Sequence, residues 1–447
     1  MSELVTRAQI ILLARTLHVS PHRLAHLERL GAEHLHDLQQ RMAAVIFDEH
    51  AETFRRISKL VPFIPLSISM PLVQRIVPPM MTGRAAGAVG IDHPRKASET
   101  LTLLRTSYVA DCAPYLDTRT IGTVAEIAPT ESVIEVVNEV LRRRDYVTAG
   151  PFLGAATPEL IAAVERGVPD DEGMIFSAAF AYSAASISAI MRQLLTGPAQ
   201  RVPRMVHTVL IGSPELQSAA LSVFARCDTD VVGAVGDILF SIGSTASIGT
   251  LVSNAGRMGV TAELLTFTGQ LSPLSLDRMA ANPVVAETDT LTGLVGALDG
   301  RTRPDSWRGL LELGVRLDGG SKRMLARLLS QLPEPTVGQL PQRATEAGLW
   351  PKLLDLIADA DADVQARIGA IWAALPAERR TALQRHLDET ATDPRLNILR
   401  GAIPTISVEE VFFRRRQMRR HGPGSADFER GWVPTRPRSN PSSERRG

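Results

Sequence analysis

Six histidines crowd the first fifty residues, at positions 18, 22, 26, 34, 36 and 50, so metal binding and acid–base work are the first chemistry to weigh. His22 and His26 stand four apart behind Pro21, on one face of any helix starting there, with Glu28 and Glu33 close by. The metalloprotease spacing needs a glutamate directly after the first histidine, and Arg23 holds that place. A closed site also needs four converging ligands, so surface histidines and no metal are expected. Gly243-Ser244-Thr245-Ala246-Ser247-Ile248-Gly249 has the small residues of a phosphate loop or a nucleophile elbow. It lacks the Gly-Lys-Ser/Thr end of the first and the Gly-x-Ser-x-Gly spacing of the second. Asp359, Asp361 and Asp363 alternate with alanine but miss the glycine and distal glutamate of a calcium loop. Cys112 and Cys227 are too few for a disulfide framework or a cysteine metal site and read as small buried hydrophobes in a reducing cytosol. No nucleophile has a plausible base and no spacing forces two carboxylates together. The expectation is a chain that is not an enzyme, with no catalytic residue, no cofactor and no small-molecule substrate.

Two segments could bind instead. Residues 13–24, LARTLHVSPHRL, have the outline of a helix-turn-helix, with Ala14 in a first helix, Val19 at the turn, Ser20-Pro21 opening a second and Leu24 packing back. His18 stands where glycine is usual, and only His22 and Arg23 offer base-reading groups. At the other end, ten arginines face Asp427, Glu429 and Glu444 over residues 411–447, a net of about +7 in a chain of formal charge +1. Phe412-Phe413 precedes the cluster Arg414, Arg415, Arg416, Arg419 and Arg420, the candidate site for a nucleic-acid backbone or an anionic membrane. The body is correspondingly acidic, which opposes tight DNA binding. Elsewhere, the excess of arginine over lysine reads as the codon bias of a GC-rich bacterial genome.

The elements that must carry these groups are marked by a repeated signature: an apolar residue, another three later, a third four after that, then proline. It occurs at Met70-Val73-Val77-Pro78, Ile121-Val124-Ala128-Pro129, Ile161-Val164-Val168-Pro169, Leu325-Leu328-Leu332-Pro333 and Ile368-Ile371-Leu375-Pro376. The spacing puts the apolar side chains on one helical stripe, and the proline cannot continue the helix. Asp117, Thr157 and Ser321 all stand twelve residues before their proline and are expected to cap a helix N-terminus. Pro158 suits the first helical position. Thr130 and Asp170 follow their prolines as caps of a second helix, which from Thr130 carries Val133, Ile134, Val137, Val140 and Leu141 and ends in Arg142-Arg143-Arg144. Each unit is thus expected to be two helices joined at a proline corner, about 40 residues long and unable to bury its apolar face alone. A weaker candidate runs from Met205 to Pro214, with Ser213 where an apolar residue is due.

Aromatic content of 4% and the lack of hairpin turns between alternating strands argue against a sheet. The predicted fold is all-α: a helical-repeat array, or α-solenoid, with a disordered basic tail. Its predicted organisation is a helical module over 1–50, repeats over 51–200, a small-residue-rich helical region over 201–300, further repeats over 301–403 and the tail over 404–447. Residues 60–81 carry five prolines and Arg75, while residues 174–191 and 238–256 are studded with alanine, serine, glycine and threonine. These are read as central helices rather than membrane spans. Glu3 and the missing cleavage site speak against a signal peptide, so the expected location is cytoplasmic, with attachment to a membrane surface as the alternative.

Leu375-Pro376-Ala377-Glu378 and Leu332-Pro333-Glu334, a stripe closed by Leu-Pro and an acidic start to the next helix, resemble the helical superhelix of the N-terminal domain of MgtE magnesium transporters and of the related FliG flagellar motor protein. The likeness covers residues 321–390 and is echoed over 57–175. It implies architecture only, because no membrane domain is expected within these residues and no magnesium-binding carboxylates match. The functional expectation is an interaction scaffold that binds a protein partner along stacked helices. The alternatives are a DNA-associated regulator using residues 8–30 with the arginine tail, or a protein peripheral to a membrane or lipid surface.

Overall fold

Apolar stripes at helical spacing, cut by prolines, yield helices and nothing else. The computed structural model describes residues 3–49, 53, 56, 59, 65–116, 121, 122, 126, 128–298, 304–390 and 393–403, and no strand occurs among them. The chain opens with α1 (Glu3–Leu17), a 3₁₀ segment (Pro21–Leu30) and α2 (Gly31–Glu49). Four short helices follow: α3 (Leu66–Ile76), α4 (Pro79–Asp92), α5 (Pro94–Leu103) and α6 (Thr106–Cys112). Then come α7 (Thr130–Arg142), α8 (Tyr146–Phe152), α9 (Pro158–Gly167) and α10 (Asp171–Phe180), with α9 lying on α7 and α10 on α8.

From Ala184 the unit has three helices, where two were expected. The triplets are α11 (Ala184–Thr196), α12 (Arg201–Ile211) and α13 (Pro214–Phe224); α14 (Thr229–Ile242), α15 (Thr245–Arg257) and α16 (Thr261–Thr268); and α17 (Pro273–Ala280), α18 (Thr288–Gly296) and α19 (Pro304–Gly314). Next come α20 (Gly319–Gln331), the short α21 (Glu334–Val337), α22 (Leu340–Glu346) and α23 (Trp350–Ala358), then α24 (Ala362–Ala373), α25 (Ala377–Thr390) and α26 (Asn397–Ala402). First helices therefore recur about every 45 residues, within the length range of three-helix repeats. The last helices of successive units stack in series, α10 on α13, α13 on α16, α16 on α19 and α19 on α23. One buried core runs from Ile161 to Ile403, so the low-charge stretch over 201–300 is packed like its neighbours.

The stripes point as their spacing requires. Ile121, Ile161, Val168, Leu325 and Ile368 are buried, while Pro78, Pro169, Pro333 and Pro376 stand exposed at the corners; Val124 lies outside the described residues. Thr157 Oγ1 accepts from Leu160 N at 3.3 Å and Asp170 Oδ1 from Gly173 N at 2.8 Å, as caps should. Two expected caps differ. Ser321 lies inside α20, and Asp318 caps it instead, accepting from Gly320 N at 2.8 Å and Ser321 N at 3.1 Å, because its longer, charged side chain reaches two free amides. Thr130 is the first residue of α7, behind Pro129, and makes no cap bond. Asp117 lies outside the described residues. Ser213, the misfit of the weak candidate, caps α13 by accepting from Leu216 N at 3.2 Å.

Small residues let backbones approach. A Cβ on Gly309 of α19 would stand 1.9 Å from the Leu265 carbonyl of α16, and one on Gly269 would stand 2.5 Å from the Asp305 carbonyl. The hydroxyls of Thr266 and Ser306 meet at 2.8 Å beside that contact. The stretches over 174–191 and 238–256 are each two helices, broken at 181–183 and 243–244. No helix among the described residues is long and apolar enough to cross a membrane.

Arginines join one unit to the next. Arg201 Nη1 donates to the carbonyls of Val164 at 3.1 Å and Glu165 at 2.9 Å near the end of α9. Arg226 donates to Ala181 at 2.7 Å and Ala178 at 2.8 Å at the end of α10. Arg278 reaches Phe240 at 2.8 Å near the end of α14, and Arg367 reaches Ser330 at 2.9 Å near the end of α20. Val164 O and Ala178 O also accept a backbone amide, whereas Glu165, Ala181, Phe240 and Ser330 are last-turn carbonyls that the arginine satisfies, and each arginine places positive charge at the negative end of the dipole.

Candidate interaction groove

The first stripe, Met70-Val73-Val77, behaves unlike the others. Its residues are only half-buried, and they line an apolar groove of about 580 Å³ between α3, α4, α5 and α6. Met80 and Met81 of α4, Leu101 and Leu104 at the end of α5, and Val109 of α6 complete the apolar walls. Thr53, from the chain before α3, and Ser69, Thr82, Thr100 and Arg84 supply polar atoms among the lining residues. The outer face of α3 is apolar as well: Ile68, Leu72 and Ile76, spaced by four, are 74%, 57% and 69% exposed. Three methionines with flexible, polarisable side chains let such a groove adapt to what it covers.

The frame of the groove is held by polar bonds at the corners. Tyr108 Oη donates to the Val77 carbonyl at 2.8 Å and meets Thr82 Oγ1 at 2.6 Å, tying the turn between α3 and α4 to α6. Burial pushes the Tyr108 phenol up from its ordinary range, so it stays a neutral donor. The Arg105 amide and Nε both donate to Gln74 Oε1, at 3.1 and 3.2 Å. A Cβ on Gly83 would stand 2.6 Å from the Cys112 carbonyl, so α4 and α6 touch there by backbone. Burial, then the nearby Asp111 charge, pushes the Cys112 thiol up to about 12, and burial pushes Cys227 up to about 11. Both are inert packing groups.

The chemistry weighed from sequence does not assemble. No group of three or more His, Cys, Asp or Glu side chains among the described residues could hold a metal. His22 and His26 are exposed on the 3₁₀ segment, while His36 stacks on Tyr182 with ring centres 3.8 Å apart. Asp359 pairs with Lys322 and Arg395 and Asp361 with Arg327, so those carboxylates are spent on stacking contacts. Ser244 caps α15 by accepting from Ser247 N at 3.1 Å, which accounts for the glycine- and serine-rich loop. In the helix-turn-helix candidate, His18 takes the left-handed backbone (φ 54°) suited to glycine, but the expected second helix is 3₁₀ and has no buried residue. The first helix is itself core, packed on α2, α8 and α10, with Arg15 donating to Asp145 Oδ1 at 2.9 Å and to Thr148 Oγ1 at 2.6 Å. Arg414, Arg415, Arg416, Arg419 and Arg420 lie outside the described residues.

Sequence reasoning took Met70-Val73-Val77 for core like the other stripes. The missed signal is the second apolar row, Ile68-Leu72-Ile76, which leaves α3 without a polar outer face.

No protein-family model matches the chain, and no curated protein matches it. Among solved structures, the chain is similar to one described as a circular tandem repeat protein with novel repeat topology and enhanced subunit contact surfaces. The match has 16% identity and a TM-score of 0.23, over 94% of this chain and 98% of that one. The repeat architecture described above rests on this chain's own helix register.

Proposed function

We propose that this helical-repeat protein works without catalysis, as a scaffold that seats an amphipathic helix of a protein partner in the groove between α3, α4, α5 and α6. The carrying observation is an eleven-residue helix with apolar residues on two faces, one lining a groove and one in solvent. A patch of that kind on a folded protein marks an interaction site, and a groove between helices with adaptable methionines suits the apolar side of a partner helix. The likeness of the Leu-Pro corners to MgtE and FliG supports the reading only as architecture. A cytoplasmic setting fits it and is part of the proposal.

A photo-crosslinker at position 81, which lines the groove and is exposed, tests this. The expected result is a crosslink to one helical segment of one protein, lost in the Val73→Glu variant while the far-ultraviolet spectrum is unchanged. Equal capture by Val73→Glu, or sedimentation of the protein with anionic vesicles through α3 instead, would overturn the assignment. The membrane reading is disfavoured because Arg75 is the only basic residue on α3, whereas interfacial helices carry a cationic face. The DNA-regulator reading loses its recognition helix to the 3₁₀ segment.

A further inference from the structure

A second cavity, of about 160 Å³, lies between α7, α9, α10 and α11. It sits where two packing periods meet: α9 lies on α7 in the short, paired step on one side, and on α11, the first helix of the 45-residue series, on the other. Its lining is apolar apart from Ser177, and the Ser177 hydroxyl is already committed to the Gly173 carbonyl at 2.7 Å. Water needs two to four polar partners to be held in a cavity, and an enclosed apolar void of about 150 Å³ takes up benzene or xenon; this cavity has similar bulk and opens on one side. Access runs past α7, whose Val133, Val136 and Val137 line the cavity while remaining half-exposed.

We propose that this cavity is a binding site for a small, uncharged apolar molecule, one aromatic ring or an alkyl group of similar bulk. Among the described residues no lysine or arginine lines it, so a fatty-acid carboxylate finds no counter-charge there, and Ser177, its proton already given to Gly173, is the one lining side chain left to accept from a polar head. Met174, Met191 and Met205 line it and can adjust to ligands of different shape. The site is separate from the groove on α3, whose methionines are Met70, Met80 and Met81.

That separation supplies the test. The full chain is labelled with carbon-13 at the methionine methyls and titrated with toluene. The expected result is a saturable shift of the Met174, Met191 and Met205 signals with Met70, Met80 and Met81 unmoved, and a melting temperature that rises with toluene concentration. Val137→Phe, which fills the cavity from its mouth, should weaken toluene binding about tenfold or more. If that variant does not fold, Ala156→Leu fills the same space from the other wall. Shifts confined to Met70, Met80 and Met81, no saturable shift at all, or an unchanged response in the filled variant would each overturn the assignment. None of these outcomes bears on whether a protein occupies the α3 groove.

Discussion

Replacing Arg226 by methionine should cut the array in two energetically. Its guanidinium donates to Ala181 O at 2.7 Å, Ala178 O at 2.8 Å and Ala179 O at 3.3 Å, all at the end of α10, and to Ser222 O at 3.0 Å in the helix just before it. Methionine has similar bulk and no donor. Ala178 O keeps its bond from the Ala181 amide at 3.2 Å, but Ala181 O and Ala179 O are left without a donor, and each buried carbonyl left bare costs ~1–3 kcal/mol. Loss of the positive charge at a helix C-terminus adds ~0.3–1 kcal/mol. The expected destabilisation is about 3–5 kcal/mol. Lysine keeps the charge but not the fork, so Arg226→Lys should lose about 1–3 kcal/mol. In a stacked array the loss falls on one interface rather than on the whole chain. Trp307, Trp350 and Trp372 sit in the last three units, so in a Trp432→Phe background tryptophan fluorescence reports those units alone, whereas circular dichroism reports every helix. Urea unfolding of the parent should give coincident curves by the two probes. In Arg226→Met the dichroism curve should begin to fall at lower urea while fluorescence holds. Coincident curves in the variant, or a loss under about 1 kcal/mol, would refute the idea that this arginine joins the units.

Asp171→Asn strips the charge partner from Arg201, which is fully buried and 2.7 Å from Asp171, so thermal unfolding should show a loss of about 3–5 kcal/mol. Gly309→Ala should lower the melting temperature sharply, since its Cβ would meet backbone 1.9 Å away, whereas Gly256→Ala, with nothing within 4 Å, should not. With thiols pushed up to about 11 and about 12, fewer than about one in a thousand is ionised at pH 8. A thiol reagent should therefore find neither cysteine in the native protein and both in urea. Glu139 is held down at about 2 by hydrogen bonds from Arg142 and Arg143, against an ordinary 4.5. A depressed folded value means that its contribution is complete above pH 4.5 and is lost as the pH falls toward 2, so Glu139→Gln should flatten the acid limb of a stability–pH curve in that window.

The fold class was legible because apolar periodicity and proline corners are local signals: the stripes at Ile161, Leu325 and Ile368 point inward as their spacing demands. The size of the unit was not. Pro129 and Pro169 align across 40 residues, yet α8 intervenes, and the three-helix unit from Ala184 shows only in which helices touch, a property of distant pairs. Caps were legible where the side chain stood alone, as at Thr157 and Asp170, and misread where Asp318 and Ser321 competed three residues apart. The groove was hidden for a related reason. Periodicity says that a face is apolar and not whether anything covers it, and α3 carries a second apolar row, Ile68, Leu72 and Ile76, that stays exposed.

Arginine was the larger misreading. As a matter of composition its excess says little, but burial of leucine and valine is non-directional and fixes the register between stacked units less sharply than a hydrogen bond does. Hydrogen bonds are directional. In Arg201, Arg226, Arg278 and Arg367 the donor lies 36, 45, 38 and 37 residues beyond its acceptor, and each acceptor is a carbonyl close to a helix C-terminus in the preceding unit. Trp372 Nε1 does the same to Val337 O at 3.0 Å, 35 residues back. A slip of one helical turn would bury those carbonyls without donors, at ~1–3 kcal/mol each. The apolar spine thus supplies the attraction between units, and the arginines select the one alignment in which they meet. Lysine, with a flexible point charge in place of a planar fork, would hold the charge and lose the alignment.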